Sequence, residues 1–576
     1  MSDSIKNLVK TNLGSALAES LNRRFPHNAS SKHIEDIVNA LLGSLSRGEI
    51  YLEIGSESKT PIEIKAKGWP DEHYKALLES DWLNDKNGPI ILKDDVLSWR
   101  RWHMQMEEVI KLLRTKAHQR IDIDNEVLNK ANKATKQFTS GLNDDQLLAV
   151  EKVGAFSLIL LTGGPGTGKT STVAKMLLKA LSINPSLQIG LAAPTGKATR
   201  RLQESLQESA KKLSTVNRHK LSKATCSTLH KWLQAKEGGF IRNASNPLQL
   251  DLLVVDEMSM VDLTLMLGLT KALPIDSQLI LVGDSNQLPP VGSGAIWHYL
   301  SQETNLKEAF LNSSIALKKV YRNRGDLAML AELLNSKGID SYWERLKRLS
   351  SSSNVALYFS NINFIPNNII NQVKAHHIKI KEIAKHISSN ISSTNKQDDY
   401  EKDKRIATSF HEAFICLEEL MVLCPRKHGL WSVEHVNKTL LGTLFDENIS
   451  IWPEGVPIIC GSNQPELGIA NGDIGITIGE GQNRYLLFRV TDPNNTVIPK
   501  LIHPARLKTY DAAFAMTIHK AQGSEAKHVI MLWPNKLHNK DLGESTNNNY
   551  ENRLIYTAIT RAKETLDVFI EEDIKD

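Results

Sequence analysis

Cysteine is scarce: the 576-residue chain has four, Cys226, Cys416, Cys424 and Cys460, and no two form a CxxC pair. That argues against zinc and iron–sulfur centres, and so few thiols in this length suit a reducing cytosol. Charge of one sign is also slight, since 70 Lys and Arg face 65 Asp and Glu and leave +5. With no polybasic coat, any nucleic-acid site must be a local groove. Long apolar runs are missing: no stretch approaches the roughly 18 uninterrupted apolar residues of a membrane span. Met1-Ser2-Asp3-Ser4-Ile5-Lys6 has no apolar signal core. The expectation is a cytoplasmic protein with no membrane partner. The remainder, 41% hydrophobic and 23% charged, is ordinary for a soluble chain, and the length predicts roughly three or four domains.

Residues 1–130 read as mainly helical, with Ile34, Ile37, Val38, Leu41 and Leu42 at helix spacing. Short extended pieces at Ile50–Ile54, Ile90–Leu92 and Leu97–Trp99 interrupt them, before an amphipathic helix near 100–114. No phosphate-handling motif occurs here, so a structural or docking domain is the default, with Trp82, Trp99 and Trp102 as residues able to face a partner, though any single one fits the core at least as well. From about 140 to 340 strand and helix alternate, which implies a parallel sheet covered on both faces. Its candidate strands are 157–162, 189–193, 250–255 and 278–283, each a short apolar run. The Ser-, Asn- and Lys-rich segment 365–410 reads as a solvated or mobile insertion. A second alternating region follows, with strands expected at 419–423, 511–516, 527–532 and 565–570. Turns and short β signals between the first two of these predict a small inserted β domain.

Gly163-Gly164-Pro165-Gly166-Thr167-Gly168-Lys169-Thr170 fits the P-loop pattern G-x-x-x-x-G-K-[ST]. An apolar run at 158–161 precedes it and a helical pattern from Val173 follows, the strand–loop–helix context the motif needs. Glycines let backbone N–H groups curl around phosphate oxygens, and the helix N-terminus adds positive partial charge. Lys169 is the expected ligand of the β- and γ-phosphates of ATP, Thr170 of Mg²⁺, and Ser171 extends the cradle. Leu252-Leu253-Val254-Val255-Asp256-Glu257 is an apolar strand ending in two carboxylates. At the carboxyl end of such a strand, Asp256 is placed to hold Mg²⁺ and Glu257 to polarise water.

The remaining polar strand ends carry less information singly. Gln287, in Gly283-Asp284-Ser285-Asn286-Gln287-Leu288-Pro289-Pro290, can accept from water and donate to a γ-phosphate, or simply sit exposed in a tight loop. Thr195 and Lys197 in APTGKA, and Thr228 and His230 in STLH, have hydroxyl, backbone and basic groups suited to phosphate oxygens. Thr517, His519 and Lys520 lie in TIHKAQGSE; Arg322 follows Tyr321, and Arg561 lies in YTAITRAK. Gln146, after Leu142-Asn143-Asp144-Asp145, has an amide that can pair with adenine.

Taken in order, GGPGTGKTSTVAKML, APTGKATRRL, STLHKWL, LLVVDEMSMVD, LVGDSNQLPPVGSGA, VYRN, NGDIG, AMTIHKAQGSE and LIYTAITRAK closely resemble the motif series of superfamily 1 helicases. The wording is similar to the 5′-to-3′ branch and, within it, to the RecD family. The resemblance spans about 140 to 565. It implies an α/β fold of two RecA-like P-loop domains (131–345 and 346–576), an SH3-like β insertion at about 445–509, and a mainly helical partner-docking domain over 1–130. It implies ATP and Mg²⁺ held between the two domains. Gln146 would read adenine; Gly163 to Ser171 would hold the phosphates; Thr170 and Asp256 would hold the metal. Lys169, Glu257, Gln287, Arg322 and Arg561 would act in catalysis. Single-stranded DNA would touch Thr195, Lys197, Thr228, His230, Thr517, His519 and Lys520. The implied partners are RecB and RecC subunits and DNA ends, in an exodeoxyribonuclease whose nuclease centre lies on another subunit. A standalone RecD-like helicase and an RNA-directed ATPase of the same superfamily are the alternatives.

Overall fold

In a computed structural model of the chain, described here for residues 3–83, 86–211, 214–222, 224–290, 292–302, 304–321, 325–349, 353–392, 404–464, 466–491, 497–534 and 547–572, two parallel sheets dominate. The first has six strands in the order Ser314–Leu317, Leu158–Gly163, Gln278–Gly283, Leu252–Val255, Ile189–Ala193, Thr225–Thr228. All neighbours are parallel. The inner strands are apolar at nearly every position because helices cover both faces. Two separate cores lie on the two sides, one under the P-loop helix Lys169–Ile183, the other around Leu263, Met266 and Trp297. The sheet's two outer members, 225–228 and 314–317, escaped the sequence pattern. Thr-Cys-Ser-Thr and Ser-Ile-Ala-Leu are short and only partly apolar, and register with their neighbours places them.

The second sheet has five parallel strands in the order Val355–Ser360, Ala562–Glu571, Ala526–Trp533, Leu420–Cys424, Ala515–Thr517. The expected strand 511–516 is two strands. Tyr510–Ala512 pairs antiparallel with Pro457–Cys460, and Ala515–Thr517 pairs parallel with Leu420–Cys424. The chain switches sheets at Ala513–Phe514, so this short segment closes the inserted domain and re-enters the second parallel sheet. The insertion itself is a five-stranded antiparallel sheet in the order Val497–Ile502, Tyr485–Thr491, Ile474–Ile478, Pro457–Cys460, Tyr510–Ala512.

The segment 365–410 is not a solvated insertion where it is described. Asn367–Ser392 is a 26-residue helix and Lys404–Leu417 packs along it. Ile380, Ala384, Ile387 and Ile391 lie on one face and meet Phe410, Ala413 and Phe414 as well as Ile476 and Ile478 of the antiparallel sheet. Ser, Asn and Lys occupy the opposite, wet face, and their number masked the stripe in a composition reading. Residues 393–403, which include part of that polar run, lie outside the described residues. Ile387→Asp should therefore lower unfolding free energy by about 3 kcal/mol, because an unpaired carboxylate enters a packed helix interface. Urea denaturation measures it; an unchanged midpoint would mean that the stripe is not a core.

In the N-terminal part, helices Ser31–Ser46 and Asp71–Glu79 pack on a small antiparallel sheet of Leu52–Glu53, Val96–Trp99 and Ile90–Lys93. Trp82 and Trp99 are 1% and 7% exposed, so they are core residues of this unit and not groups waiting for a partner. The Trp82 indole N–H donates to the Phe25 carbonyl at 3.0 Å. Trp102 is half-buried between this core and that of the first parallel sheet. Helix Arg100–His118 lies against Leu263–Ala272, and Asn125–Thr139 against the P-loop helix, which fastens this region to the first sheet domain. No helix among the described residues is long and apolar enough to cross a membrane.

Candidate nucleotide site and nucleic-acid face

The buried strand Leu158–Gly163 delivers the glycine loop to the sheet's carboxyl edge. Gly166 and Gly168 have φ of +74° and +83°, a region that a Cβ makes costly. Gly168 also precedes the first turn of helix Lys169–Ile183, and Ser171 and Thr172 hydroxyls donate to its carbonyl at 2.8 and 2.9 Å. Pro165 and Thr167 lie in the loop, with the Thr167 hydroxyl donating to the Gly164 carbonyl at 2.8 Å. The Lys169 ammonium folds over the loop and donates to the carbonyls of Gly163 (2.7 Å) and Gly164 (3.1 Å). Thr170 sits in the first turn, half-buried. A Cβ on Gly164 would come within 3.1 Å of the Tyr556 hydroxyl, and one on Gly168 within 2.8 Å of Gln146 Nε2, so both glycines are needed for close approach.

Gln146 is a capping-box residue of helix Asp144–Lys152, paired with Asn143. Its amide N–H donates to the Thr167 carbonyl at 3.3 Å, and Tyr321 donates to its oxygen at 3.4 Å. The Tyr321 N–H also donates to the Gly166 carbonyl at 2.8 Å. Gln146 and Tyr321 thus flank the P-loop on one side. Arg322 lies outside the described residues.

The strand Leu252–Val255 is wholly buried and ends at Asp256 and Glu257. Asp256 accepts from the Glu257 N–H at 2.8 Å. Glu257 adopts φ +54°, uncommon for a residue with a side chain and typical of functional strand ends. Burial pushes the Asp256 carboxyl upward, the Glu257 charge adds to the shift, and the Lys169 ammonium opposes it. Asp256 and Glu257 thus stand side by side at the strand's carboxyl end. These carboxylate oxygens and the Thr170 hydroxyl in the first turn of the P-loop helix are the hard oxygen donors that suit a divalent cation such as Mg²⁺.

The second sheet domain closes the site from the other side. Gln287 is 5% exposed; its amide N–H donates to Asp284 at 3.3 Å, while its carbonyl oxygen is buried without a partner among the described residues. Helix Asn547–Ile559 supplies Tyr556, whose hydroxyl donates to the same Asp284 oxygen at 3.0 Å, and Thr557, whose oxygen accepts from the Leu288 N–H at 3.1 Å. Gln522 donates to the Leu288 carbonyl at 3.2 Å. Arg561 is 3% exposed and donates to the carbonyls of Thr557 (3.0 Å) and Ser524 (3.2 Å) and to the Thr560 hydroxyl (3.1 Å). Burial lowers its pKa, and Glu257, on the other domain, is the foremost charge holding it up. Asp284, Tyr556, Thr557 and Gln522 had no assigned role from the sequence. The signal available was that Asp284, like Asp256, directly follows a fully apolar strand.

The residues expected to meet nucleic acid cluster at strand carboxyl ends. Thr195 follows Ile189–Ala193, whose neighbour Thr225–Thr228 ends in Thr228; Thr517 ends Ala515–Thr517. Thr195, Thr228 and Thr517 hydroxyl oxygens accept from the N–H groups of Ala198 (3.2 Å), Lys231 (3.3 Å) and Lys520 (3.2 Å), so each sets the turn that follows it. His230 is exposed. His519 meets the Tyr550 hydroxyl at 2.9 Å, and burial holds its pKa below the usual imidazole range. Lys520 pairs with Asp511 at 3.6 Å. Lys197 is not on an open groove. Its ammonium donates to the Gly472 carbonyl at 3.4 Å, and burial brings its pKa down to about 8. The neighbouring Arg200 pairs with Asp473, and Arg201 with Glu525. The turn 470–473 of the antiparallel sheet therefore sits on the start of helix Gly196–Lys211.

Residues 146–293 match the family described as AAA domain, and residues 512–568 match the UvrD-like helicase C-terminal domain. The RecBCD enzyme subunit RecD of Buchnera aphidicola from Acyrthosiphon pisum is 30% identical over 484 residues, 77% of this chain and 77% of that protein. The Haemophilus influenzae RecBCD enzyme subunit RecD is 30% identical over 470 residues, 75% of this chain and 69% of its own. The ATP-dependent RecD2 DNA helicase of Deinococcus radiodurans is 37% identical over 187 residues, but these are only 32% of this chain and 22% of that one. With 30% identity extending over three quarters of the sequence, and both a match to the AAA domain and one to the UvrD-like helicase C-terminal domain, the chain belongs to the RecD family and is an ATP-dependent DNA helicase of the RecD type.

Proposed function

We propose that this chain is the 5′-to-3′ motor subunit of a RecBCD-type exodeoxyribonuclease, acting in the cytoplasm on double-stranded DNA ends in break repair, recombination and DNA degradation. The observation that carries the motor part is the clasp on the Asp284–Leu288 loop by Tyr556, Thr557 and Gln522. A loop that adjoins the γ-phosphate position and is gripped by the other domain links nucleotide state to domain closure.

Within that reading Gln146 and Tyr321 border the base, and Gly163 to Ser171 hold the phosphates. Lys169 and Arg561 stabilise the charge that develops on the transferred phosphoryl group, Arg322 being the further arginine assigned to this task. Glu257 takes the proton from the attacking water, and the unpartnered oxygen of Gln287 accepts a hydrogen bond from the same water. Thr170 and Asp256 would hold Mg²⁺, which would supply further charge neutralisation. Thr195, Thr228 and His230 on one domain, and Thr517, His519 and Lys520 on the other, grip neighbouring DNA phosphates alternately as the cleft opens and closes, while Lys197, bound to the Gly472 carbonyl, ties this face to the antiparallel insertion. Such contacts read backbone, so sequence preference is slight and salt dependence marked. The antiparallel insertion serves as an SH3-like guide along the DNA, and residues 1–130 dock the motor on a RecC-type partner.

Co-expression with RecB-type and RecC-type chains should yield a stoichiometric complex, and residues 131–576 alone should fail to co-elute with them. Retention of the truncated chain would remove the docking role. Strand displacement tests polarity: unwinding is expected from a 5′ tail, and unwinding only from a 3′ tail would overturn it. Greater stimulation of ATP hydrolysis by RNA than by DNA would favour an RNA-directed ATPase.

A further inference from the structure

The loop that follows Gln287 is held from a third direction, by the N-terminal unit. Helix Ser31–Ser46 ends at Gly48, where φ is +81° and the N–H returns to the Leu45 carbonyl at 3.0 Å, a C-terminal glycine turn. The Gly48 carbonyl leaves the helix and accepts from the N–H groups of Gly294 (3.1 Å) and Ala295 (3.0 Å). A Cβ on Gly48 would lie 3.2 Å from the Pro290 carbonyl oxygen and 3.3 Å from Pro289. Ile50 enters the core of the first sheet domain, and the Tyr51 ring packs on Tyr299 of helix Ile296–Gln302 at 5.3 Å. The turn 47–51 and this helix thus enclose the stiff Pro289–Pro290 segment.

The same short helix reaches the second sheet domain. Its His298 lies against the Arg553 guanidinium, 2.9 Å from Nδ1, and its ring donates to the Ser285 backbone carbonyl. Burial and the neighbouring arginine lower the imidazole pKa to about 4, so it is neutral and can accept from Arg553. Arg553 stands on helix Asn547–Ile559, one turn ahead of Tyr556 and Thr557. Glu49, on the N-terminal turn, is the charge that acts on Arg553 from the other side.

We propose that Gly48, with the turn around it, and the His298–Arg553 contact form a brace by which the N-terminal unit positions the Gln287 loop against both motor domains. Gly48 and Arg553 are thus positioning residues for ATP turnover that touch neither nucleotide nor DNA. The brace rests on the ATP site assigned above. Its consequence is that a partner bound to the N-terminal unit has a direct route to the nucleotide cleft: displacement of the turn moves the Pro289–Pro290 segment, which the prolines keep from absorbing the shift.

The test uses the full-length chain, with saturating ATP and single-stranded oligothymidylate. Gly48→Ala should lower kcat about 5-fold and Arg553→Gln about 10-fold, each leaving the KM for ATP within about twofold, because positioning is lost while ground-state binding is kept. Arg553→Lys should recover most of the loss. Gly238→Ala is the control for backbone strain: its φ is +82° and a Cβ there meets nothing within 4 Å. It should leave kcat unchanged. The combined Gly48→Ala and Arg553→Gln loss should be smaller than the product of the two. Equal turnover for Gly48→Ala and Gly238→Ala, or losses that multiply, would overturn the brace. A KM rise with unchanged kcat would also overturn it. Lys169→Ala, measured alongside, separates the two claims: if it abolishes turnover while the brace variants behave as wild type, the ATP site stands and the brace does not.

Discussion

Lys169→Ala is expected to remove nearly all ATP hydrolysis, a loss on the order of 10³-fold or more, while the chain stays folded. The ammonium neutralises charge that grows on the transferred phosphoryl group, so its removal costs most in the transition state. Its present bonds, to the carbonyls of Gly163 and Gly164, are made at a half-open loop where water can replace it. Thermal denaturation should therefore change little. A stopped assay with labelled ATP measures turnover, and circular dichroism measures the fold; a well-folded variant with half the native rate would remove the P-loop assignment.

Arg561→Lys should lower kcat by about 10²-fold with a smaller change in the KM for ATP. Lysine keeps the charge but not the planar fork, which here spans two backbone carbonyls and the Thr560 hydroxyl. Loss of geometry at an otherwise charge-conserved position is felt where phosphoryl charge must be met from a fixed direction. Lysine is chosen over alanine because an emptied site would leave the Ser524 carbonyl without its donor and confuse catalysis with stability. If lysine supported native kcat, Arg561 would be a structural tie between Thr557 and Ser524 and not a catalytic group.

Much of the nucleotide site is legible because its chemistry is local. The spacing of Gly163 to Thr170, and the carboxylates directly after Val255, are dictated by phosphate, metal and strand geometry over a few residues. Apolar runs likewise mark the strands 189–193 and 278–283, which are covered on both faces. What failed was composition used in place of periodicity. Between 367 and 392 the polar residues outnumber the apolar stripe, yet Ile369 and Val373, then Ile380, Ala384, Ile387 and Ile391, decide the structure because they enter the cores on which the helix packs. Whether Trp82 and Trp99 face a partner or the core is open in the sequence for a related reason: a tryptophan's burial depends on what packs over it, which no local pattern states.

The sequence by itself determined that this chain binds a nucleoside triphosphate through a strand–loop–helix unit, and which motifs would assemble around it. Tertiary structure alone decided what those motifs touch. Asp284 meets Tyr556, and Leu288 meets Thr557, across about 270 residues of chain. Lys197 is capped by the carbonyl of Gly472 instead of lying free. Gly48, in a unit with no chemistry of its own, holds the backbone of Gly294 and Ala295. These contacts join groups whose local propensities are independent of one another. They exist because sheets and helices folded from separate stretches of the chain are packed against each other, and the polar groups brought together at their edges must find partners there.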